Sequence, residues 1–190
     1  MDYLLALLQG LGIAAAIGIR PFLPVLLAGA LASADLGLDF EGTEFVFLEQ
    51  AGFLLAILVG VAVLGFVERR AAERVGIPLL VISMVLGALL AAGSIDDVSA
   101  DWWPGLPVGV AAAALGWAAA RSLFSRVRAR LDKDAANALP LYAEGSALLS
   151  AGLSILFPPL ALLIVAALVW LLIGGRRRAG EKYAGLRILR

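Results

Sequence analysis

Charge in this chain is sorted by sign into segments that separate long apolar blocks, and that ordering limits the fold more than any motif does. Five blocks run over Tyr3–Ser33, Ala51–Val67, Ile77–Gly93, Pro104–Ala120 and Ala138–Ile173. Asp35, Asp39, Glu41, Glu44 and Glu49 lie between the first two blocks, and Asp96, Asp97 and Asp101 between the third and fourth, with no base in either group. Arg69, Arg70 and Arg74 follow block two, and Arg121, Arg126, Arg128, Arg130 and Lys133 follow block four. Arg176, Arg177, Arg178, Lys182, Arg187 and Arg190 follow block five, so these three segments hold fourteen of the fifteen basic residues. Lys and Arg are retained on the cytoplasmic side of a membrane, which makes the basic segments inside and the acidic loops outside.

Composition supports lipid as the solvent. The chain is 62% hydrophobic and 16% charged, with a mean hydropathy of +0.98. Soluble domains carry about 45–50% apolar and about 25% charged residues, and 190 residues cannot hide the excess in one core. A membrane-spanning helix takes about 17–25 residues, so each middle block fits one crossing. The first and last blocks are too long for one straight helix, and both contain proline, in Gly18-Ile19-Arg20-Pro21-Phe22-Leu23-Pro24 and Leu156-Phe157-Pro158-Pro159. Proline lacks a backbone donor and clashes with the preceding turn, so each site is a kink, a hairpin tip or a re-entrant break.

Block five starts and ends beside basic segments, which predicts a helical hairpin turning at Phe157-Pro158-Pro159. Block one stays open between one kinked helix and a hairpin with its tip at Arg20-Pro21, because no base flanks the N-terminus to orient it. The prediction is an all-α, polytopic transmembrane helix bundle of six to seven helices, with proline-broken first and last blocks. It comprises a transmembrane domain over residues 1–175 and a basic cytoplasmic tail over 176–190, in a bacterial inner membrane. Met1-Asp2-Tyr3 lacks the basic start of a secretory signal peptide. Setting Pro24 against Pro158 also sets Gly18 against Gly152, a possible internal repeat of the kind that marks transporter binding sites.

Net charge is zero, which gives no overall signal for nucleic acid, and Cys and His are both absent. Disulfides, thiolate and imidazole chemistry and the commonest zinc ligands are thereby excluded. With one embedded carboxylate and no serine beside an evident base, we expect no enzyme activity, no cofactor and no metal.

Two charges remain well inside apolar sequence, Arg20 and Glu144. A charge in the bilayer costs about 2.5–3.5 kcal/mol on insertion scales, and such residues face a protein interior, a cavity or each other. Arg20 lies at a break, where a guanidinium beside free backbone groups can bind a phosphate or carboxylate; its other reading is snorkelling to the cytoplasmic interface. Glu144 can relay protons or pair with Arg20, or else lie near the headgroups. An Arg20–Glu144 ion pair would join the two broken blocks.

Tyr142, Ser146, Ser150 and Ser154 recur every four residues as a polar stripe, which either lines a path or bonds back to its own helix. Glu144 lies about 200° from Tyr142 around such a helix and is off the stripe. Gly105, Gly109, Gly116 and the surrounding alanines predict close helix–helix packing within the chain or in a homo-oligomer, and Gly60, Gly65 and Gly87 read likewise. Asp96, Asp97 and Asp101 read as solvated loop acids, and Trp102 and Trp103 as an interfacial belt. The segments 121–130 and 183–190 mix basic and apolar residues suited to anionic lipid at the inner leaflet.

The opening Gly12-Ile-Ala-Ala-Ala-Ile-Gly18-Ile-Arg20-Pro-Phe-Leu-Pro24 and the ending Glu181-Lys-Tyr-Ala-Gly-Leu-Arg-Ile-Leu-Arg190 resemble a family of small bacterial integral membrane proteins, the domain of unknown function 4126 type. The resemblance implies a membrane protein with Gly18, Arg20, Pro21 and Pro24 as positions of interest, and no activity. The expected function is a transporter or channel-like protein for an anionic solute or lipid headgroup. Arg20, Glu144, Gly18, Pro21, Pro24, Ser150 and Ser154 are the candidate substrate-binding residues. The competing class is a structural or partner-binding subunit in which Arg20 and Glu144 form a lock.

Overall fold

The computed structural model describes residues 3–71, 76–99, 101–131 and 138–184, with the side chains of 68–71 and 175–184 left undescribed. These residues form seven α-helices and one 3-10 turn, with no strand among them. The helices are α1 Tyr3–Ile19, α2 Phe22–Ala32, α3 Ala51–Ala71, α4 Gly76–Asp96, α5 Gly105–Arg128, α6 Leu139–Leu156 and α7 Leu160–Ala184, and the 3-10 turn is Val46–Leu48. Three of them, α4, α5 and α6, are long and apolar enough to cross a membrane. The protein is accordingly a helical membrane protein. The chain thus alternates between an acidic end, holding loop 34–50 with residues 97–99 and 101–104, and a basic end, where α5 delivers Arg121, Arg126 and Arg128.

The centre of the bundle is α1. A helix that is apolar on every side belongs in an interior, and ten of its seventeen residues are buried. It packs on α4, α5, α6 and α7. Close approach depends on glycine: a Cβ on Gly18 would overlap the Ala113 carbonyl, one on Gly116 the Ala15 carbonyl, and one on Gly109 the Gly87 carbonyl. The small-residue surface of α5 therefore packs within the chain, against α1 and α4. Gly65 departs from the expectation, since nothing lies within 4 Å of its Cβ position. It sits on α3, which packs on α2 and the 3-10 turn and leaves Leu55, Val59, Val63 and Phe66 exposed.

Both proline sites interrupt the helix. Pro21 ends α1, although the Arg20 N–H still donates to the Ala16 carbonyl at 3.2 Å. Pro24 is the third residue of α2, where a helix needs no N–H, so it does not disturb the new helix. In the other block, Phe157, Pro158 and Pro159 make a turn whose carbonyls accept from the first three N–H groups of α7.

α1 and α2 run antiparallel. Gln9, within α1, donates its side-chain amide to the Gly37 carbonyl beyond the end of α2, and to Ile155 at 3.1 Å near the end of α6. The acidic end is closed by loop 34–50, which buries Phe40, Phe45 and Leu48 over the bundle. Phe40 and Phe45 pack where a side chain on Gly93 would stand, and Trp102 meets Phe45 edge-on at 5.3 Å. Trp103 beside it is exposed.

At the basic end α5 is one continuous helix to Arg128, and α7 continues past the expected boundary at 175 to Ala184. Arg74, Lys133 and the remainder of the expected amphipathic end after Ala184 lie outside the described residues.

Candidate functional site

The hairpin of α1 and α2 does not reach the basic end. The Phe22 ring occupies the space next to Gly60, 2.7 Å from its Cβ position. Gly60 lies about 14 Å along α3 from the acidic end, at a rise of about 1.5 Å per residue. Gly18 lies against Ala113 and Trp117, likewise in the middle of α5. The tip of the hairpin, Arg20-Pro21, therefore stops between the middle of the bundle and its basic end, where Arg20 shares a cavity with Leu79, Leu139 and Pro140 in the first turns of α4 and α6. Arg20 is only 9% exposed, so protein covers most of its side chain.

Two observations define its surroundings. The Arg20 Nε lies 3.6 Å from Glu144 Oε1, with side-chain exposures of 11% and 25%. That is an ion pair, joining the tip of the first hairpin to α6. Arg20 also lines a cavity of about 160 Å³, together with Arg121 and Arg128 of α5 and the apolar side chains of Leu79, Trp117 and Phe124. Among the described residues the cavity wall has three guanidinium groups and no carboxylate.

The arrangement follows from helical spacing. Trp117, Arg121, Phe124 and Arg128 recur at intervals of three and four, so they share one face of α5. Arg121 stacks over the Trp117 ring at 5.0 Å from its centroid and lies across Gly76, at the start of α4. Arg126 points elsewhere: its guanidinium donates to the carbonyls of Ser122 at 2.9 Å and Leu171 at 3.3 Å, tying α5 to α7. A pocket lined by several guanidinium groups, here buried Arg20 with exposed Arg121 and Arg128, can hold an oxyanion through charge-assisted hydrogen bonds.

The other candidate residues divide. Gly18 provides close contact with α5, and Pro21 and Pro24 are fully buried, so these three shape the tip. Ser150 lines a second cavity, of about 230 Å³, beside the first. Ser154 lies apart from them: it is buried against Gly12, its hydroxyl donates to the Ser150 carbonyl at 2.8 Å, and it lines neither cavity. Ser146 similarly donates to Ala143 at 2.9 Å, and Tyr142 is 70% exposed, so the stripe is not a continuous polar path. Gly18 and Gly152 have unlike surroundings, since Gly152 meets only Leu27 at 3.8 Å, and the internal repeat gains no support.

Sequence reasoning missed Gln9 and the participation of Arg121 and Arg128. The signal for the arginines was present in their seven-residue separation on one helix face; it was absorbed into the positive-inside pattern. The acids at the other end are structural: Asp96 accepts from the Glu44 N–H at 2.8 Å, and Glu49 from the Phe40 N–H at 3.3 Å. Burial pushes the Glu49 carboxyl above its ordinary value, with neighbouring Asp39, Glu41 and Asp35 adding to the rise and the Phe40 N–H opposing it. No group of acids that could hold a metal ion occurs among the described residues.

No protein-family model, curated protein or solved structure matches the chain. The functional assignment therefore rests on the site itself.

Proposed function

We propose that this protein lies in a bacterial inner membrane with its acidic end outside and its C-terminal end in the cytoplasm, and that it binds and transports an anionic solute or lipid headgroup through the arginine cavity. The observation that carries this reading is the cavity at the Arg20-Pro21 helix break, with Arg20, Arg121 and Arg128 in its wall. In this orientation the cavity is on the cytoplasmic side, and the first hairpin is re-entrant from outside. Interrupted helices commonly form the site of substrate contact in transporters. Glu144 holds Arg20 in the resting state; an incoming anion competes for the guanidinium, and a proton on Glu144 releases it.

The ion pair also supports a second reading, a non-transporting structural or partner-binding subunit in which Arg20 and Glu144 only lock the helices. Flux into proteoliposomes separates the two. Inorganic phosphate and a fluorescent anionic phospholipid serve as probes, with wild type, Arg20→Ala and Arg121→Gln compared at equal reconstitution. Transport by wild type that falls at least tenfold in Arg121→Gln, a variant outside the packed core, supports the first reading. Folded wild-type protein that moves neither probe supports the lock.

A further inference from the structure

Two cavities, not one, meet at the inner end of α1. The second is lined by Leu123, Ile164, Leu168 and Leu171, and it shares Ile19, Ala120 and Phe124 with the arginine cavity. Its surface is almost wholly apolar. The Ser146 hydroxyl in its wall is already bonded to Ala143, so it offers little to water. α6 and α7 pack only lightly together, and Ser146 on α6 and Ala167 on α7 are exposed at the mouth. The slot therefore opens sideways between two helices, towards the lipid phase of a membrane protein, whereas its inner wall is continuous with a site lined by three arginines, of which Arg20 is paired with Glu144.

A soluble anion accounts for the first cavity and leaves the second empty. A ligand with an anionic head and an apolar chain fills both, and the shared wall sets the two parts next to each other. We infer that the occupant is an anionic membrane phospholipid, with its phosphate among Arg20, Arg121 and Arg128 and an acyl chain in the slot between α6 and α7. The inference rests on the anion-binding reading above and names the ligand class. Selectivity comes from the head: a zwitterionic lipid brings its own cation beside the guanidinium groups, and like charges repel. The chain keeps the lipid concentrated in the bilayer or micelle beside the slot, and its entry into the slot gains no hydrophobic energy and depends on packing.

Native mass spectrometry of the full chain, released from neutral detergent, tests this directly. Phosphatidylglycerol and phosphatidylcholine with identical chains are offered at equal concentration, with glycerol phosphate as the chain-less probe. Wild type is expected to retain one phosphatidylglycerol, at least tenfold over phosphatidylcholine, and glycerol phosphate at no less than a hundredfold higher concentration should be needed to displace it. Arg121→Gln with Arg128→Gln should bring the lipid preference close to one. Ala167→Trp, at the exposed mouth, should lose lipid retention and keep binding of glycerol phosphate. Equal competition by glycerol phosphate, or unchanged lipid retention in Ala167→Trp, would overturn the lipid inference and leave the anion site standing. Binding of neither probe would overturn both.

Discussion

Arg20 and Glu144 come from opposite ends of the chain and lie 3.6 Å apart inside the bundle. They were legible in the sequence because charge within apolar blocks carries a cost that demands a partner or a cavity. Their coupling is measurable. In a cycle of Arg20→Ala, Glu144→Gln and the double variant, unfolding in mixed micelles should show an interaction of about 0.5–3 kcal/mol, with the double variant no less stable than the worse single one. Plain additivity would remove the ion pair from the account. Gln9 escaped notice because an uncharged amide in an apolar helix raises no comparable alarm. It nevertheless joins α1 to Gly37 and to Ile155. Gln9→Leu strands two carbonyls, and should cost about 1–3 kcal/mol in the same assay; a neutral result would show those carbonyls to be satisfied otherwise.

Helix ends and turns were the most readable elements. The three middle blocks became α3, α4 and α5, and the proline sites fell at helix interruptions, because a missing N–H acts locally whatever surrounds it. The direction of α2 was not readable. It depends on where Gln9 and Phe22 find partners, which no neighbouring sequence encodes. Glycine was readable only in part: Gly116 and Gly65 look alike in sequence, yet one faces the Ala15 carbonyl and the other open space. The two should respond oppositely to the same added methyl. Gly116→Ala forces α1 and α5 apart and should cost about 1–3 kcal/mol, whereas Gly65→Ala should be neutral or raise stability by about 0.5–1 kcal/mol through helix propensity. Thermal unfolding of the two variants side by side decides the matter, and equal losses would contradict the assigned packing.

The whole molecule has two chemically distinct ends. At the acidic end, burial raises the Glu49 carboxyl, and burial with Asp39 nearby raises Asp97. A carboxyl raised in the folded state favours folding most when neutral. Its contribution is complete below the ordinary value, 4.5 for Glu49, and is lost as pH rises through the raised one. Amide exchange in loop 34–50, corrected for intrinsic rates, should therefore slow as pH falls from neutral towards 4.5. Glu49→Gln retains an acceptor for Phe40 and should flatten that dependence; an unchanged slope would exclude Glu49 as its source.

The basic end carries the central claim, that a hydrated cavity selective for anions reaches Arg20. The chain contains no cysteine, so Ala120→Cys places a single thiol in the cavity wall. Its labelling by anionic and cationic thiosulfonate reagents of similar size, each normalised to its rate with a free thiol, reads both access and charge selectivity. The anionic reagent should be favoured by about tenfold, the effect of about 1.4 kcal/mol of favourable potential, and that advantage should shrink in Arg121→Gln. No labelling by either reagent, or faster reaction with the cation, would contradict the claim.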